Sequence, residues 1–281
     1  MSLVVALLVA LAGCTASPSQ PGDDPGSPAP ASPGSTSPGS TAPESAPESE
    51  PSVSPDPGPR PRVGECHALT FRQALAVVGR TAPVACRRQH TAETYFVGRL
   101  DLETKAGFTR RVDSQAAQRQ MRRACTTRLP RHLGRTPRDL RLSMVRAVWF
   151  TPSPKRAEAG ADWFRCDVVA VAAPRALLRL PRTTRGWDAA PAMCATAAPG
   201  TRGFRRVTCG ADHTWRAVST VDIPGARLPA RAAIARRMDA TCRDAAAGSA
   251  DDPLEFTWAQ ESPTRAQWEA GQRYGICWVP D

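Results

Sequence analysis

The chain has 281 residues, 37 basic against 26 acidic side chains, and a formal net charge of +11. This basic excess favours polyanionic partners such as wall polymers or anionic lipid head groups, although an arginine-rich composition also follows from a GC-rich genome. The sequence contains no recognisable nucleic-acid-binding module, and we therefore expect no nucleic acid among its partners.

The N-terminal segment predicts export and lipid attachment. Residues 3–13 are almost entirely Leu, Val and Ala, which is too short a run to span a bilayer and is typical of a secretion signal. The Leu-Ala-Gly-Cys ending at Cys14 resembles a bacterial lipobox. This resemblance implies that a signal peptide, residues 1–13, is removed and that Cys14 carries acyl chains such as palmitate. The alternative is a plain secretion signal with a chance cysteine. We expect a lipoprotein on the extracytoplasmic face of the cell membrane.

Residues 14–62 predict a disordered tether. Residues 15–62 hold 14 of the 28 prolines, no aromatic residue and one large aliphatic residue, Val53. Such a segment buries too little apolar surface to offset the entropy lost on ordering. Six acidic residues against two arginines give the tether a net charge of −4, which leaves +15 for residues 63–281. We expect the tether to lift the folded part off the membrane.

The other eight cysteines fall into two sets with a similar rhythm. The gaps are 20, 39 and 41 residues in the first set and 15, 33 and 35 in the second. This spacing, together with a Cys-x3-His motif in both sets, predicts an internal duplication. Its copies are residues 63–173 and 191–281, joined by a linker, residues 174–190.

Exported cysteines are expected to be oxidised, and four cysteines allow three pairings within each copy. We expect the first to pair with the second and the third with the fourth, because these bonds join neighbouring strands and attach a helix to the last strand. The expected disulfides are Cys66–Cys86, Cys125–Cys166, Cys194–Cys209 and Cys242–Cys277.

Each copy is predicted to be α+β, a small antiparallel sheet with one packed helix. The predicted strands are residues 94–100, 142–150 and 166–172 in the first copy, and 214–221, 255–258 and 276–279 in the second. The helix of the first copy is expected to begin at a cap, Asp113, and to end before Pro130. Cys125 and Cys242 repeat with apolar residues at helical spacing, which places both on buried faces.

Several motifs resemble the septum-formation domain family of actinobacterial envelope proteins. In the first copy they are Val63-Gly64-Glu65-Cys66, Val84-Ala85-Cys86 with His90, and Trp149…Gly160…Cys166. The second copy matches through Val207-Thr208-Cys209, His213 and Trp258…Gly271…Cys277, whereas its opening, Ala192-Met193-Cys194, departs from the pattern. The resemblance implies a link to cell division or envelope growth and implies no known reaction.

His90 and His213 are the most prominent polar candidates. A Cys-x3-His pair suits zinc or a Cys-His nucleophile, but oxidised cysteines supply no thiolate. We therefore expect no metal, no cofactor and no catalytic residue. The remaining interpretations are a hydrogen-bonded turn residue or a repeated ligand contact. Arg156 and Arg265, each after a Ser-Pro pair, are further candidate ligand contacts for anions.

The function predicted from these features is a non-catalytic binding or adaptor module. Its partner would be an anionic wall polymer or an envelope or division protein, with the membrane reached through the lipid anchor. The alternative is an envelope hydrolase acting on cell-wall polymers, for which the sequence offers no Gly-x-Ser-x-Gly nucleophile.

Overall fold

Two antiparallel sheets, each covered by one long helix, organise the chain as an α+β protein. The computed structural model describes residues 56–103, 107 and 109–281, and these described residues belong to a single compact unit. The predicted signal segment, Cys14 and the tether up to residue 55 lie outside the described residues. Within the described part of the chain, no helix combines the length and the apolar character needed to cross a membrane.

The first sheet is built around one long strand. Its strands are β1 (Cys66–His67), β2 (Ala92–Arg99), β3 (Val145–Phe150), β4 (Trp163–Ala173) and β5 (Ala176–Leu177). The order is β1-β2-β4-β3, and β5 pairs with β4. Successive side chains of a strand point to opposite faces. Phe164, Cys166 and Val168 therefore share one face of β4, while Arg165 and Asp167 lie on the other.

The second sheet also has a long central strand. Its strands are β6 (Met193–Ala195), β7 (Arg206–Thr208), β8 (Trp215–Asp222), β9 (Ala259–Glu261) and β10 (Tyr274–Pro280). They lie in the order β7-β6-β8-β10-β9. Strand β9 begins just after the predicted segment 255–258, whose first residue, Glu255, still belongs to a turn in which its amide donates to the Asp252 carbonyl.

Two long helices cover the sheets, and four short ones connect the strands. The helices are α1 (Phe71–Ala74), α2 (Gln115–Leu133), α3 (Pro137–Arg141), α4 (Pro154–Glu158), α5 (Arg231–Ala247) and α6 (Arg265–Glu269). In α2 the buried stripe repeats every four residues through Met121 and Cys125, and in α5 through Met238 and Cys242. Each stripe packs on one sheet face and forms a core with it.

The two ends of α2 differ from the sequence prediction. Ser114, not Asp113, caps the helix and accepts a hydrogen bond from the Ala117 amide, because Asp113 is paired with Arg111. At the other end the helix continues through Pro130 to Leu133.

Helix α2 ends at Gly134, whereas the sequence prediction placed its end at Pro130. Its φ of 67° lies in the left-handed region, which glycine adopts without a Cβ penalty. The amide of Arg135 then donates to the Pro130 carbonyl at 2.9 Å, which closes the Schellman turn. Pro130 is tolerated because a proline in the last turn removes only one backbone hydrogen bond of the helix.

Four disulfides staple the fold, in the pairing expected from the sequence. They join Cys66 to Cys86, Cys125 to Cys166, Cys194 to Cys209, and Cys242 to Cys277. Two of them attach α2 to β4 and α5 to β10 through the buried helix stripes. The other two join Cys86 to β1 and Cys209 to β6, and so hold the chain that follows each of these strands against it.

The two sheets are joined by backbone hydrogen bonds. The Met144 amide donates to the Pro191 carbonyl at 2.8 Å, and the Met193 amide donates to the Leu142 carbonyl at 2.9 Å. The chain just before β3 therefore pairs with the beginning of the second sheet. Met144 is buried in the same apolar cluster as Met193.

The predicted linker, residues 174–190, packs onto the first sheet. The backbone amide and hydroxyl of Thr184 donate to the Glu93 carboxylate at 2.5 and 2.7 Å. Nε2 of His132 lies 2.9 Å from the same hydroxyl, and Leu180 enters the core beneath α2. This segment is thus an integral part of the fold.

Candidate functional site

The face of β4 that points away from α2 carries two buried charged side chains. Arg165 is 4% exposed and Asp167 is completely buried. Nη2 of Arg165 lies 3.3 Å from Oδ2 of Asp167, and the Thr94 hydroxyl donates to Oδ1 at 2.8 Å. Strand register fixes this arrangement, because Thr94 on β2 lies directly opposite Asp167 on β4.

His67 on β1 completes this polar cluster, which we define as His67, Thr94, Arg165 and Asp167. His67 is fully buried, and Nη1 of Arg165 donates to its ring. An imidazole nitrogen that accepts a hydrogen bond from a guanidinium must be unprotonated. Burial, together with the charge of Arg165, lowers the pKa of His67 to about 4. The ring is therefore neutral at physiological pH.

The hydrogen-bonding groups of the polar cluster are incompletely satisfied. Burial raises the pKa of Asp167 to about 6, while Arg165 and the Thr94 hydroxyl act in the opposite direction. Among the described residues, Nε and Nη2 of Arg165 and Oδ2 of Asp167 have no hydrogen-bond partner. A buried guanidinium with two open donors destabilises the fold unless another group pairs with it.

A cavity of about 830 Å³ lies against this cluster, and His67 and Arg165 are part of its lining. We call it the basic pocket. Its volume is within the ~300–1,000 Å³ range of small-molecule sites. Among the described residues, five cations and one carboxylate line it, namely Arg60, Arg80, Lys155, Arg156 and Arg165 with Glu65. Two of these cations, Arg60 and Arg165, are paired with acidic residues outside the lining, which leaves three against Glu65. The lining therefore favours an anionic ligand.

Short, stiff segments position the cationic rim of the pocket. Arg156 lies in α4, whose first turn is fixed by the Ser153 cap and Pro154. The chain enters beside it at Gly58, which has a φ of 68°. A Cβ at Gly58 would lie 2.9 Å from the Arg156 guanidinium, so a larger residue there would displace the arginine.

The corresponding positions of the second sheet hold apolar residues, and the charged pair on that face, Arg206–Glu261, lies on its outer strands, where the carboxylate accepts a hydrogen bond from Nε1 of Trp278. Ile276 and Trp278 flank Cys277 as Arg165 and Asp167 flank Cys166, and both are fully buried. Phe204 packs edge-on against Trp278, with ring centroids 5.5 Å apart. Ala195 and Ala217 complete this surface, where the first sheet has His67 and Thr94.

Arg156 and Arg265 lie in different environments. Arg156 is the third residue of α4 and lines the basic pocket, whereas Arg265 is the first residue of α6 and lines a separate cavity of about 490 Å³. The Ser-Pro pairs are not equivalent in space, because Ser153 caps α4 whereas Thr264 caps α6.

The strand register shows that the residues matched by sequence motif are two positions out of step in the structure. Trp149 lies opposite Cys166, but Gln260, not Trp258, lies opposite Cys277. The alignment of Trp149 with Trp258, and with it that of Arg156 with Arg265, is therefore wrong.

His90 and His213 lie in similar turns after a disulfide cysteine. Nδ1 of His90 lies 2.9 Å from the Arg88 carbonyl, and Nδ1 of His213 lies 2.6 Å from the Ala211 carbonyl. His90 is 2% exposed, and its Nε2 has no partner among the described residues. Neither histidine lines the basic pocket. The structure thus brings Arg156, and none of the other predicted ligand contacts, to this site.

His213 forms an exposed charge network with Asp281 and Arg216. Its Nε2 lies 2.7 Å from the Asp281 carboxylate, which Nη2 of Arg216 approaches to 2.6 Å. The Ala211 carbonyl and the Asp281 carboxylate raise the pKa of His213. Sγ of Cys194 and Cys209 is also nearby, but these two sulfurs are bonded to each other and offer no thiolate to a metal.

Sequence reasoning did not select any residue of the polar cluster. A signal was present in β4, where Arg165 and Asp167 interrupt an otherwise apolar run from Trp163 to Ala173. Charged residues inside a buried strand are rarely kept without a partner or a function.

The fold and this site define a disulfide-bonded α+β protein with a buried charge cluster beneath a basic pocket. The chain belongs to the Septum formation family, whose model matches residues 63–277 and so covers both sheets and the polar cluster. Membership indicates a role in cell division or the cell envelope. No match to the chain was found among curated proteins or among solved structures.

Proposed function

We propose that this protein is a lipid-anchored, extracytoplasmic binding module that recognises an anionic component of the cell envelope through the basic pocket. The observation that carries the proposal is the buried pair Arg165–Asp167, with His67, beside a pocket lined by four further cations and one carboxylate. The partner is an anionic wall polymer or an acidic surface of an envelope or division protein.

The energetics of burial favour a functional origin for the cluster. Replacing a buried ion pair by well-packed apolar residues is often neutral or stabilising. At the two equivalent positions the second sheet has the apolar residues Ile276 and Trp278, which are both fully buried, and its own ion pair, Arg206–Glu261, is less deeply buried, with side chains 20% and 15% exposed. A purely structural requirement would therefore not explain why the first sheet retains Arg165 and Asp167.

Binding is favoured over catalysis by the position of the titratable groups. Asp167, whose pKa is raised, is fully buried and is not part of the pocket lining. His67 lines the pocket but has its pKa lowered, so the ring is not a proton donor at neutral pH. General acid–base catalysis needs a group that titrates near the working pH and reaches the substrate.

We further propose that the two sheets are diverged copies of one domain. The order β1-β2-β4-β3 in the first sheet parallels β6-β8-β10-β9 in the second. Each sheet has a register irregularity at the same place, opposite Cys166-Asp167 in one and Cys277-Trp278 in the other. In this view the first copy keeps a binding site and the second copy serves as its scaffold.

Binding of the full chain to purified anionic wall polymer tests the proposal. The variant Arg80→Gln with Arg156→Gln removes two cations of the pocket rim, and both residues are exposed, so folding should be preserved. Arg265→Gln is the matched control, because Arg265 is also exposed but lines another cavity. We expect retention to fall about tenfold or more in the double variant and to be unchanged in the control.

Three results would count against the proposal. Equal losses in the pocket variant and the control would indicate adsorption through general arginine content, which salt screens. Unchanged retention in the double variant would exclude the pocket. Release of soluble polymer fragments that depends on the protein would favour the hydrolase alternative.

The proposed anchor has its own test. We expect Cys14→Ser to move the protein from the membrane fraction to the soluble exported fraction, because the serine hydroxyl does not form the thioether to the lipid. Metabolic labelling with a fatty acid should mark the wild type and not the variant. An unlabelled wild-type protein would support the plain secretion signal.

A further inference from the structure

A second basic cavity lies between the two sheets. Its volume is about 420 Å³, and α2, α3 and β3 line it from one side and α6 and β10 from the other. Its charged lining residues are Arg122, Arg141 and Arg146, and no carboxylate among the described residues lines it. We call it the inter-sheet cleft. None of these arginines lines the basic pocket, so the two sites are independent.

Only one of the three arginines is neutralised by an acidic side chain. Arg141 pairs with Asp222 at 2.6 Å and stacks on the Tyr274 ring at 4.4 Å. Arg122 and Arg146 have no ion-pair partner in the part of the chain that the structure describes. The cleft therefore holds two uncompensated positive charges.

The hydrogen bonds of these two arginines use only neutral backbone acceptors. Nη1 of Arg146 donates to the carbonyls of Ser143 and Val145 at 2.7 and 2.6 Å. Nη1 of Arg122, on α2, donates to the Glu269 carbonyl at the end of α6. These contacts hold the side chains in place and leave their charges for a ligand.

We infer that the inter-sheet cleft binds a phosphate group. A phosphate monoester carries a charge of about −1.5 to −2 at pH 7, which matches the two free guanidinium charges, whereas a carboxylate would neutralise only one. Arginine also binds phosphate with paired, directional hydrogen bonds. Gln267 and Gln272 line the same cleft and offer neutral amides to further oxygens.

Occupation of the cleft would link the two sheets. The first sheet's helix contributes Arg122, the second sheet's strand contributes Tyr274, and the ligand would touch both sides. A ligand that binds only the folded, assembled form raises the apparent stability according to its concentration and affinity. Phosphate should therefore increase the thermal stability of the protein as well as shift resonances at the cleft.

The test uses the full chain and inorganic phosphate, with acetate at matched ionic strength as the comparison. We expect phosphate to cause saturable NMR shifts at Tyr274 and Gln272 and a rise in the melting temperature. Arg146→Gln should weaken the phosphate affinity at least about tenfold, because it removes a charge-assisted contact. Arg119→Gln is the control, since Arg119 lies on α2 but outside the cleft.

Failure of this inference is distinguishable from failure of the proposed function. The variant Arg80→Gln with Arg156→Gln should keep phosphate binding at the cleft, although it loses polymer retention. If Arg146→Gln does not fold, the phosphate affinity is measured on Arg122→Gln instead. The absence of saturable shifts, equal affinities in Arg146→Gln and the wild type, or equal binding of acetate would each overturn the phosphate site.

Discussion

Asp167 and Trp278 occupy the same position relative to the last disulfide cysteine of their sheets, since each follows it by one residue and each is fully buried. The Asp167 carboxylate accepts a hydrogen bond from Thr94, whereas the Trp278 ring packs against Phe204. One position thus holds a charge in one sheet and an aromatic ring in the other. This contrast is the basis of the first two predictions.

Arg165→Gln should lower the free energy of unfolding by about 3 kcal/mol. The change leaves the Asp167 carboxylate buried without a counter-charge, and breaking a buried pair from one side costs about 3–5 kcal/mol. Urea unfolding measures the difference. Asp222→Asn is the control, because its carboxylate side chain is 71% exposed and its pair with Arg141 should contribute less than about 1 kcal/mol. Equal effects in the two variants would contradict the role of burial.

Removing both charges of the pair should be less harmful than removing one. We expect Arg165→Ile with Asp167→Leu to be more stable than Arg165→Gln alone, because no unpaired charge remains in the core. The same double variant should lose anion binding at the basic pocket. A double variant less stable than Arg165→Gln would show that the cluster serves the fold itself.

His67 should make the protein sensitive to acid. Its pKa is lowered from 6.5 to about 4 in the fold, so its contribution to stability is present above pH 6.5 and is lost as the pH falls toward 4. The loss is at most ~3 kcal/mol. Asp167 acts oppositely: its raised pKa gives a contribution that is present below pH 3.8 and is lost as the pH rises through about 6.

The free energy of unfolding, measured from pH 7 to pH 4, distinguishes the contribution of His67 from that of Asp167. His67→Asn should remove the acid-induced loss assigned to His67, and the difference between wild type and variant should shrink as the pH falls. A difference that stays constant with pH would mean that the imidazole does not change its pKa on folding.

Asp281 should hold the pKa of His213 above its ordinary value. The Ala211 carbonyl and the Asp281 carboxylate both raise this pKa, so Asp281→Asn should lower it. An NMR titration of the imidazole measures the change. Asp222→Asn is the control, because Asp222 pairs with Arg141 instead. A His213 titration that is the same in both variants would refute the Asp281 contact.

The disulfides should differ in their contribution according to the loop that each closes. Cys125–Cys166 spans 41 residues and Cys194–Cys209 spans 15. The chain-entropy model gives about 4 and about 3 kcal/mol for loops of these lengths. Replacing each pair by alanines and measuring urea unfolding checks the order. A larger loss for the shorter loop would indicate that local packing, not loop closure, dominates.

Most of the correct predictions about the fold came from residues that repeat at regular spacing along the chain. Cys125 repeats with Met121 along α2, and this period of four predicted both the helix and its buried face. Other predictions were wrong because they depended on contacts between residues distant in sequence. Pro130 was predicted to end α2, but the helix continues through it to Leu133 and ends at Gly134. Arg156 and Arg265 share a sequence motif but not a position, because helix caps and strand register are set by tertiary pairing.

The sequence by itself predicted the α+β class and the family resemblance, because local periodicity and short motifs depend on neighbouring residues. It favoured one of the three possible disulfide pairings in each half, and the structure contains that pairing. Only the tertiary structure decided which charges meet. His67, Thr94 and Arg165 are far apart in sequence, and they converge because β1, β2 and β4 are neighbours in one sheet. Burial and charge compensation depend on that convergence, so the basic pocket and the inter-sheet cleft emerge only from the folded chain.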